Sequence, residues 1–139
     1  MMMVRCCLSS SSIEGLGVFA TKAISKGTLV WLYDPRFDVS YFRDEVEMAP
    51  AHFREFLERY TYEHPTDSDR VVLDCDEGRF MNHAETPNVD LSDPARGIAT
   101  RGIRAGEELT CDYGQFTLGA VAFQPSRHQV GNQFQLVAE

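Results

Sequence analysis

Long apolar runs are missing from this chain of 139 residues, whose uninterrupted apolar segments extend only a few side chains. That excludes a membrane-spanning helix, which needs about 20 such residues. The opening Met-Met-Met-Val-Arg-Cys-Cys-Leu-Ser lacks the apolar stretch of a secretory signal, and no lipidation motif is present. The expected address is therefore the cytoplasm, or the nucleus of a eukaryotic cell. Basic charge is also scarce. Lys and Arg number 13 against 21 Asp and Glu, a formal net charge of −8, which is the wrong sign for direct binding to a nucleic-acid backbone. A surface of that sign suits a basic protein or peptide partner. The four cysteines, Cys6, Cys7, Cys75 and Cys111, contain no C-x-x-C pair. Adjacent cysteines chelate zinc poorly and a reducing compartment disfavours disulfides, so free thiols and no metal are expected.

What remains is the length and composition of one soluble globular domain. Val18–Ala20 and Thr28–Tyr33 favour extended structure and read as two strands joined by a glycine turn at Ser25-Lys26-Gly27. The stretch Ala20-Thr-Lys-Ala-Ile-Ser-Lys-Gly27 is echoed by Ala99-Thr-Arg-Gly-Ile-Arg-Ala-Gly106, which predicts one strand-turn-strand unit used twice. In 49–60 the apolar residues Phe53, Phe56, Leu57 and Tyr60 follow the stripe of an amphipathic helix, with Pro50 at its start. Its aromatics read as core packing, with Tyr60 the exception. Arg70–Cys75 reads as a buried strand, and 97–101 and 108–111 as shorter ones.

Three clusters carry chemistry. Glu14-Gly15-Leu16-Gly17-Val18 places two glycines before a strand, where a ligand could approach bare backbone. Arg79-Phe80-Met81-Asn82-His83-Ala84-Glu85-Thr86-Pro87-Asn88 gathers amide and imidazole groups in a loop interrupted by proline, a composition that also serves to stitch a loop to itself. No second histidine or carboxylate stands at chelating sequence spacing from His83. Gly106-Glu107-Glu108-Leu109-Thr110-Cys111-Asp112-Tyr113-Gly114 runs from a strand into a turn.

In this order and spacing the clusters make the sequence resemble a SET-domain protein lysine methyltransferase, and within that family the small single-domain bacterial type. The resemblance runs from about Arg5 to Tyr113. It implies a mainly β fold, the β-clip, as a SET domain over 5–116 with a helical insert at about 41–62 and a C-terminal pseudoknot. The tail 117–139 carries no pattern that assigns it structure.

The resemblance further implies that S-adenosylmethionine lies on Gly15, Leu16, Gly17, Arg79, Asn82 and His83 and leaves as S-adenosylhomocysteine. Tyr113 is then the catalytic tyrosine, and Tyr60, Cys111 and Phe116 line the substrate lysine's channel. Neither a metal nor a membrane is involved. The substrate would be a basic protein, such as a histone or another chromatin or ribosomal protein. The alternative is a catalytically silent module that keeps the fold and binds cofactor or a basic peptide without methyl transfer.

Two departures from the family pattern matter. Cys111 stands where many members carry Phe or Tyr, leaving room for a second or third methyl group unless Leu91 or Phe116 fills the space. The zinc-binding C-x-C-x4-C cluster is absent after Tyr113, so Phe116 or Phe123 would supply an apolar wall instead.

Overall fold

The computed structural model describes residues 1–116. The tail 117–139, with Phe123, lies outside the described residues. In chain order the strands are β1 (Cys6–Ser10), β2 (Leu16–Ala20), β3 (Leu29–Leu32) and β4 (Val39–Phe42). Two helices follow, α1 (Arg43–Met48) and α2 (Ala51–Tyr60). The remaining strands are β5 (Thr61–Glu63), β6 (Arg70–Leu73), β7 (Asn82–His83), β8 (Val89–Asp93), β9 (Arg96–Ala99) and β10 (Glu108–Cys111). They form three small sheets, in the orders β1-β2-β10-β7, β3-β9-β8 and β4-β6-β5. Among the described residues no helix is long and apolar enough to cross a membrane.

Strands this short each contribute only two or three inward side chains, so the core is assembled from several sheets at once. Val18, Val30, Val89, Ile103 and Leu109 belong to one buried cluster. Each such side chain contributes roughly 1.5–3 kcal/mol by leaving water.

The expected strand pair β2 and β3 exists, with Gly27 at φ 82° in the turn before β3. The two strands do not pair with each other, however: β2 lies between β1 and β10, and β3 pairs with β9. The segment between them carries the chain from one sheet to another. The echoed segment after β9 makes the return crossing, and the two crossings bond to each other nearly symmetrically. Ile24 N donates to Ile103 O at 2.8 Å and Ile103 N to Ile24 O at 2.9 Å. Gly27 N donates to Ala99 O at 2.8 Å, and Gly106 N to Ala20 O at 2.7 Å. Gly106, with φ 81°, repeats the backbone turn of Gly27, a conformation that other residues adopt only under strain. The repeated unit is thus a matched pair of crossings.

Return through the second crossing delivers β10 beside β2, antiparallel through Glu108 and Leu109, and beside β7, parallel through Thr110 and Cys111. The block around Asn82 and the strand leading to Tyr113 are thereby laid side by side. The second asparagine of that block, Asn88, holds this arrangement rather than its own loop. It is 2% exposed; its Nδ2 donates to Glu108 O at 2.8 Å and its Oδ1 accepts from Thr110 N at 2.9 Å, imitating a strand partner.

The amphipathic helix forms as α2, with Pro50 immediately before it. Its aromatics correct the expectation of core packing: Leu57 is buried, whereas Phe53 and Phe56 are exposed. They stack on one another at 6.4 Å, and Phe56 meets Tyr60 at 5.0 Å. The reason is geometric, because the sheet β4-β6-β5 beside these helices has only three short strands and cannot cover a full apolar stripe. A shorter helix, α1, precedes it and has no buried residue.

Replacing Asn88 by Ala leaves buried groups of Glu108 and Thr110 without partners. The expected loss is roughly 1–3 kcal/mol for each orphaned group, seen as a lower urea midpoint with an unchanged slope.

Candidate active site

The three sequence clusters meet at one carboxylate. Ser11 Oγ donates to Glu108, 2.9 Å from either carboxylate oxygen, and Asn82 Nδ2 donates to Glu108 Oε1 at 2.9 Å. The same amide lies 3.1 Å from the carbonyl oxygens of Glu14 and Leu16. Its N–H groups are thus committed to the glycine turn and to β10. Gly17 leaves room here for the Glu108 carboxylate, which a Cβ would displace. Gly15 supplies the positive φ, 48°, that turns the chain. Leu16 is exposed at this turn.

Tyr113 follows β10 after the single residue Asp112. Its hydroxyl donates to Met81 O at 2.9 Å and its backbone N donates to His83 Nδ1 at 3.2 Å. The His83 and Tyr113 rings lie 5.5 Å apart. Burial pushes the Tyr113 phenol pKa up, so the hydroxyl stays protonated. Asp112 caps the turn after β10 by accepting from Gly114 N at 2.9 Å.

A cavity of about 460 Å³ opens beside this tyrosine. Of the residues singled out in the sequence, Tyr60, Arg79, Cys111, Tyr113 and Phe116 line it. Gly15, Leu16, Gly17, Asn82 and His83 are not among its lining residues; Asn82 and the glycine turn gather at Glu108, whereas His83 contacts Tyr113. Arg59 on α2 joins the two groups by pairing with Glu14 at 2.8 Å. Cys111 is buried, which raises its thiol pKa and keeps it neutral. Leu91 and Phe116 share the cavity wall with it.

Reading the sequence alone missed three members of this wall. Trp31, Tyr62, Phe116 and Tyr113 form an edge-to-face series, with ring separations of 5.5, 6.2 and 5.6 Å. Asp74, also in the wall, accepts from Trp31 Nε1 at 2.9 Å. The signals were present: Tyr62 repeats Tyr60 at strand spacing, and Asp74 is an acid closing an otherwise apolar strand.

Burial pushes the Asp74 carboxyl up to about 7; the chain's amino terminus pulls it down, Asp38 and Asp76 push it further up, and the Trp31 bond lowers it.

Fit to S-adenosylmethionine is tested by an orphan. Arg79 Nε is buried with no hydrogen-bond partner among the described residues. Its guanidinium lies 5.0 Å from the centre of the Phe80 ring. A buried donor of that kind calls for an anionic acceptor, and a ligand carrying a carboxylate beside a flat ring system meets it. The residues present fit the group.

Because Asp74 holds its proton in the folded state at a pH where the unfolded chain has released it, its contribution to stability declines as pH rises from the ordinary carboxylate range through about 7. Asp74→Asn is expected to remove that part of the decline, checked by comparing unfolding free energies of the two proteins across this range.

The sequence matches the SET domain over residues 15–114. It is 31% identical over 133 residues to human Histone-lysine N-methyltransferase 2D, covering 88% of this chain and 2% of that protein. It is 34% identical over 116 residues to Drosophila melanogaster Histone-lysine N-methyltransferase trr, covering 76% of this chain and 5% of that protein. The chain therefore corresponds to a small part of these relatives.

Among solved structures, Chaetomium thermophilum Polycomb Repressive Complex 2 in its apo form superposes with a TM-score of 0.64 at 25% identity, over 83% of this chain and 16% of that one. A Plasmodium falciparum crystal structure shares the fold with a TM-score of 0.58 at 23% identity, over 81% of this chain and 96% of that one. Both of these relatives are named as histone-lysine N-methyltransferases. With the three clusters joined at Glu108 and the family match covering most of its length, this chain belongs to the SET-domain family.

Proposed function

We propose that this chain is an S-adenosylmethionine-dependent protein-lysine N-methyltransferase, working in the cytoplasm, or in the nucleus if its source is eukaryotic. The observation that carries the reading is the position of Tyr113, whose hydroxyl is fixed on Met81 O in the wall of a cavity beside the node that ties Asn82 to the glycine turn. The substrate is a basic polypeptide, such as a histone or another chromatin or ribosomal protein, whose charge complements the formal −8 of the chain.

When bound, S-adenosylmethionine supplies a methyl group on a positive sulfonium. Arg79, Asn82, His83 and the backbone of Gly15 to Gly17 would hold it. The chain's own task is to prepare the nucleophile, because a lysine ammonium with a reference pKa of about 10.4 has no lone pair at neutral pH. Apolar surroundings disfavour the charged form and lower that pKa. Leu91, Phe116 and Tyr60 supply such surroundings. The Tyr113 O–H is directed at Met81 O, so toward an amine N–H the phenol oxygen acts as an acceptor and sets the amine's orientation. Orientation of this kind contributes roughly 7–11 kcal/mol to a displacement between two bound groups. Cys111, smaller than an aromatic ring, leaves volume for additional methyl groups and favours di- or trimethylation.

Tyr113→Phe is expected to retain S-adenosylmethionine binding in calorimetry and to lose transfer of labelled methyl to mixed basic proteins. Full turnover by that variant would remove Tyr113 from its role, and binding without transfer by the unaltered protein would support the silent module. Mass spectra of the unaltered protein's product are expected to show two or three added methyl groups. Cys111→Phe is expected to shift them toward one, and a product limited to a single methyl in the unaltered protein would contradict the assignment.

A further inference from the structure

One buried carboxylate in the cavity wall has no task in that reaction. Asp74 follows β6 directly and is 5% exposed. Its Oδ2 is held by Trp31, while its Oδ1 lies 3.5 Å from the Tyr62 hydroxyl. That second bond is long, so the Tyr62 hydroxyl is only weakly held. Both side chains line the cavity with Tyr113 and Cys111. The other acids in this wall are differently disposed: Glu47 is exposed, the Glu58 side chain is 63% exposed, and Glu63 is paired with Arg43.

Tyr62 itself does not ionise. Burial, and then the charges of Asp74 and Asp38, push its phenol pKa up. It is therefore a neutral hydroxyl, directed at the Asp74 carboxylate, with an oxygen lone pair able to receive a proton.

We propose that Tyr62 and Asp74 form a proton relay that discharges the incoming lysine ammonium, an assignment that rests on the methyltransferase reading. One ammonium N–H bond breaks as its proton joins the Tyr62 oxygen, and the electron pair stays on nitrogen. The Tyr62 O–H bond breaks as that proton joins Asp74 Oδ1. Water entering the open cavity after product departure takes the proton from Asp74. Charge is conserved at each transfer, and no oxidant or reductant is needed.

The groups facing Asp74 suit the role. Asp38 from the turn after β3 and Asp76 from the loop after β6 raise its proton affinity. The chain's amino terminus, 3.8 Å from Oδ1, and the Trp31 indole on β3 restrain it. Burial pushes the carboxyl up to about 7, so that an ionised fraction is present at neutral pH to take a proton.

The test measures kcat/KM for labelled methyl transfer to a core histone mixture as a function of pH, with S-adenosylmethionine affinity read separately by calorimetry. In the unaltered protein the rate is expected to rise to a plateau with a midpoint near that of Asp74. Tyr62→Phe and Asp74→Asn are each expected to lose roughly 100-fold at neutral pH, to recover as pH approaches the lysine's own pKa of about 10.4, and to bind the cofactor normally. Tyr62→Phe keeps the ring packing, so it carries the test if Asp74→Asn fails to fold.

A loss equal at every pH, or an unchanged profile in the variants, overturns the relay while leaving the methyltransferase reading intact. Absence of transfer by the unaltered protein removes both. Independently of turnover, a carboxyl-carbon NMR titration of the cofactor-free protein is expected to give Asp74 a midpoint near about 7; a midpoint in the ordinary carboxylate range overturns the proposal.

Discussion

The Glu108 carboxylate is the constraint on which the rest of the site depends. It accepts from Ser11 and Asn82 and occupies the space that a side chain at residue 17 would need. Hydrogen bonds to an ionised acceptor contribute about 1.5–3 kcal/mol each, and here they join segments from opposite ends of the described chain. The glycine turn, the asparagine block and the strand leading to Tyr113 are small and weakly structured on their own. They become a site because a carboxylate on the third takes a donor from the asparagine block and lies against bare backbone at the glycine turn.

Delivering Glu108 to that point is the task of the paired crossings. A chain that passes between sheets and returns could arrive in more than one register. The reciprocal bonds between Ile24 and Ile103, with Gly27 and Gly106 turning alike, leave one. Asn88 then secures the parallel contact with a side chain that stands in for a backbone neighbour. Parallel pairing between strands as short as β7 and β10 is weak by itself, so a buried amide at this seam has a structural reason independent of catalysis.

Charge inside the cavity follows from the same packing. Aromatic rings from β3, β5 and the turn after β10 exclude water from the wall, which raises the proton affinity of the Tyr62, Asp74 and Tyr113 side chains together. The same loss of water disfavours an ammonium ion, and the reaction needs that ion discharged. One physical effect thus prepares the wall and the nucleophile.

The presence of most elements was legible in the chain itself. Short runs of residues that favour extended structure marked β2, β3 and β6, the stripe through Phe53, Phe56, Leu57 and Tyr60 marked α2, and the spacing of the three blocks carried the family resemblance and Tyr113 with it. These are local properties, set by side-chain alternation and turn chemistry within a few residues. Sheet membership was not legible, because β2 and β3 carry no mark of being sent to different partners. The exposure of Phe53 and Phe56 was hidden too, since it depends on how little sheet lies beneath them. Tyr62, Asp74 and Trp31 entered the cavity wall only through tertiary structure. Which polar groups become buried together is decided by long-range packing, and burial is what turns an ordinary acid and phenol into groups with altered proton affinity.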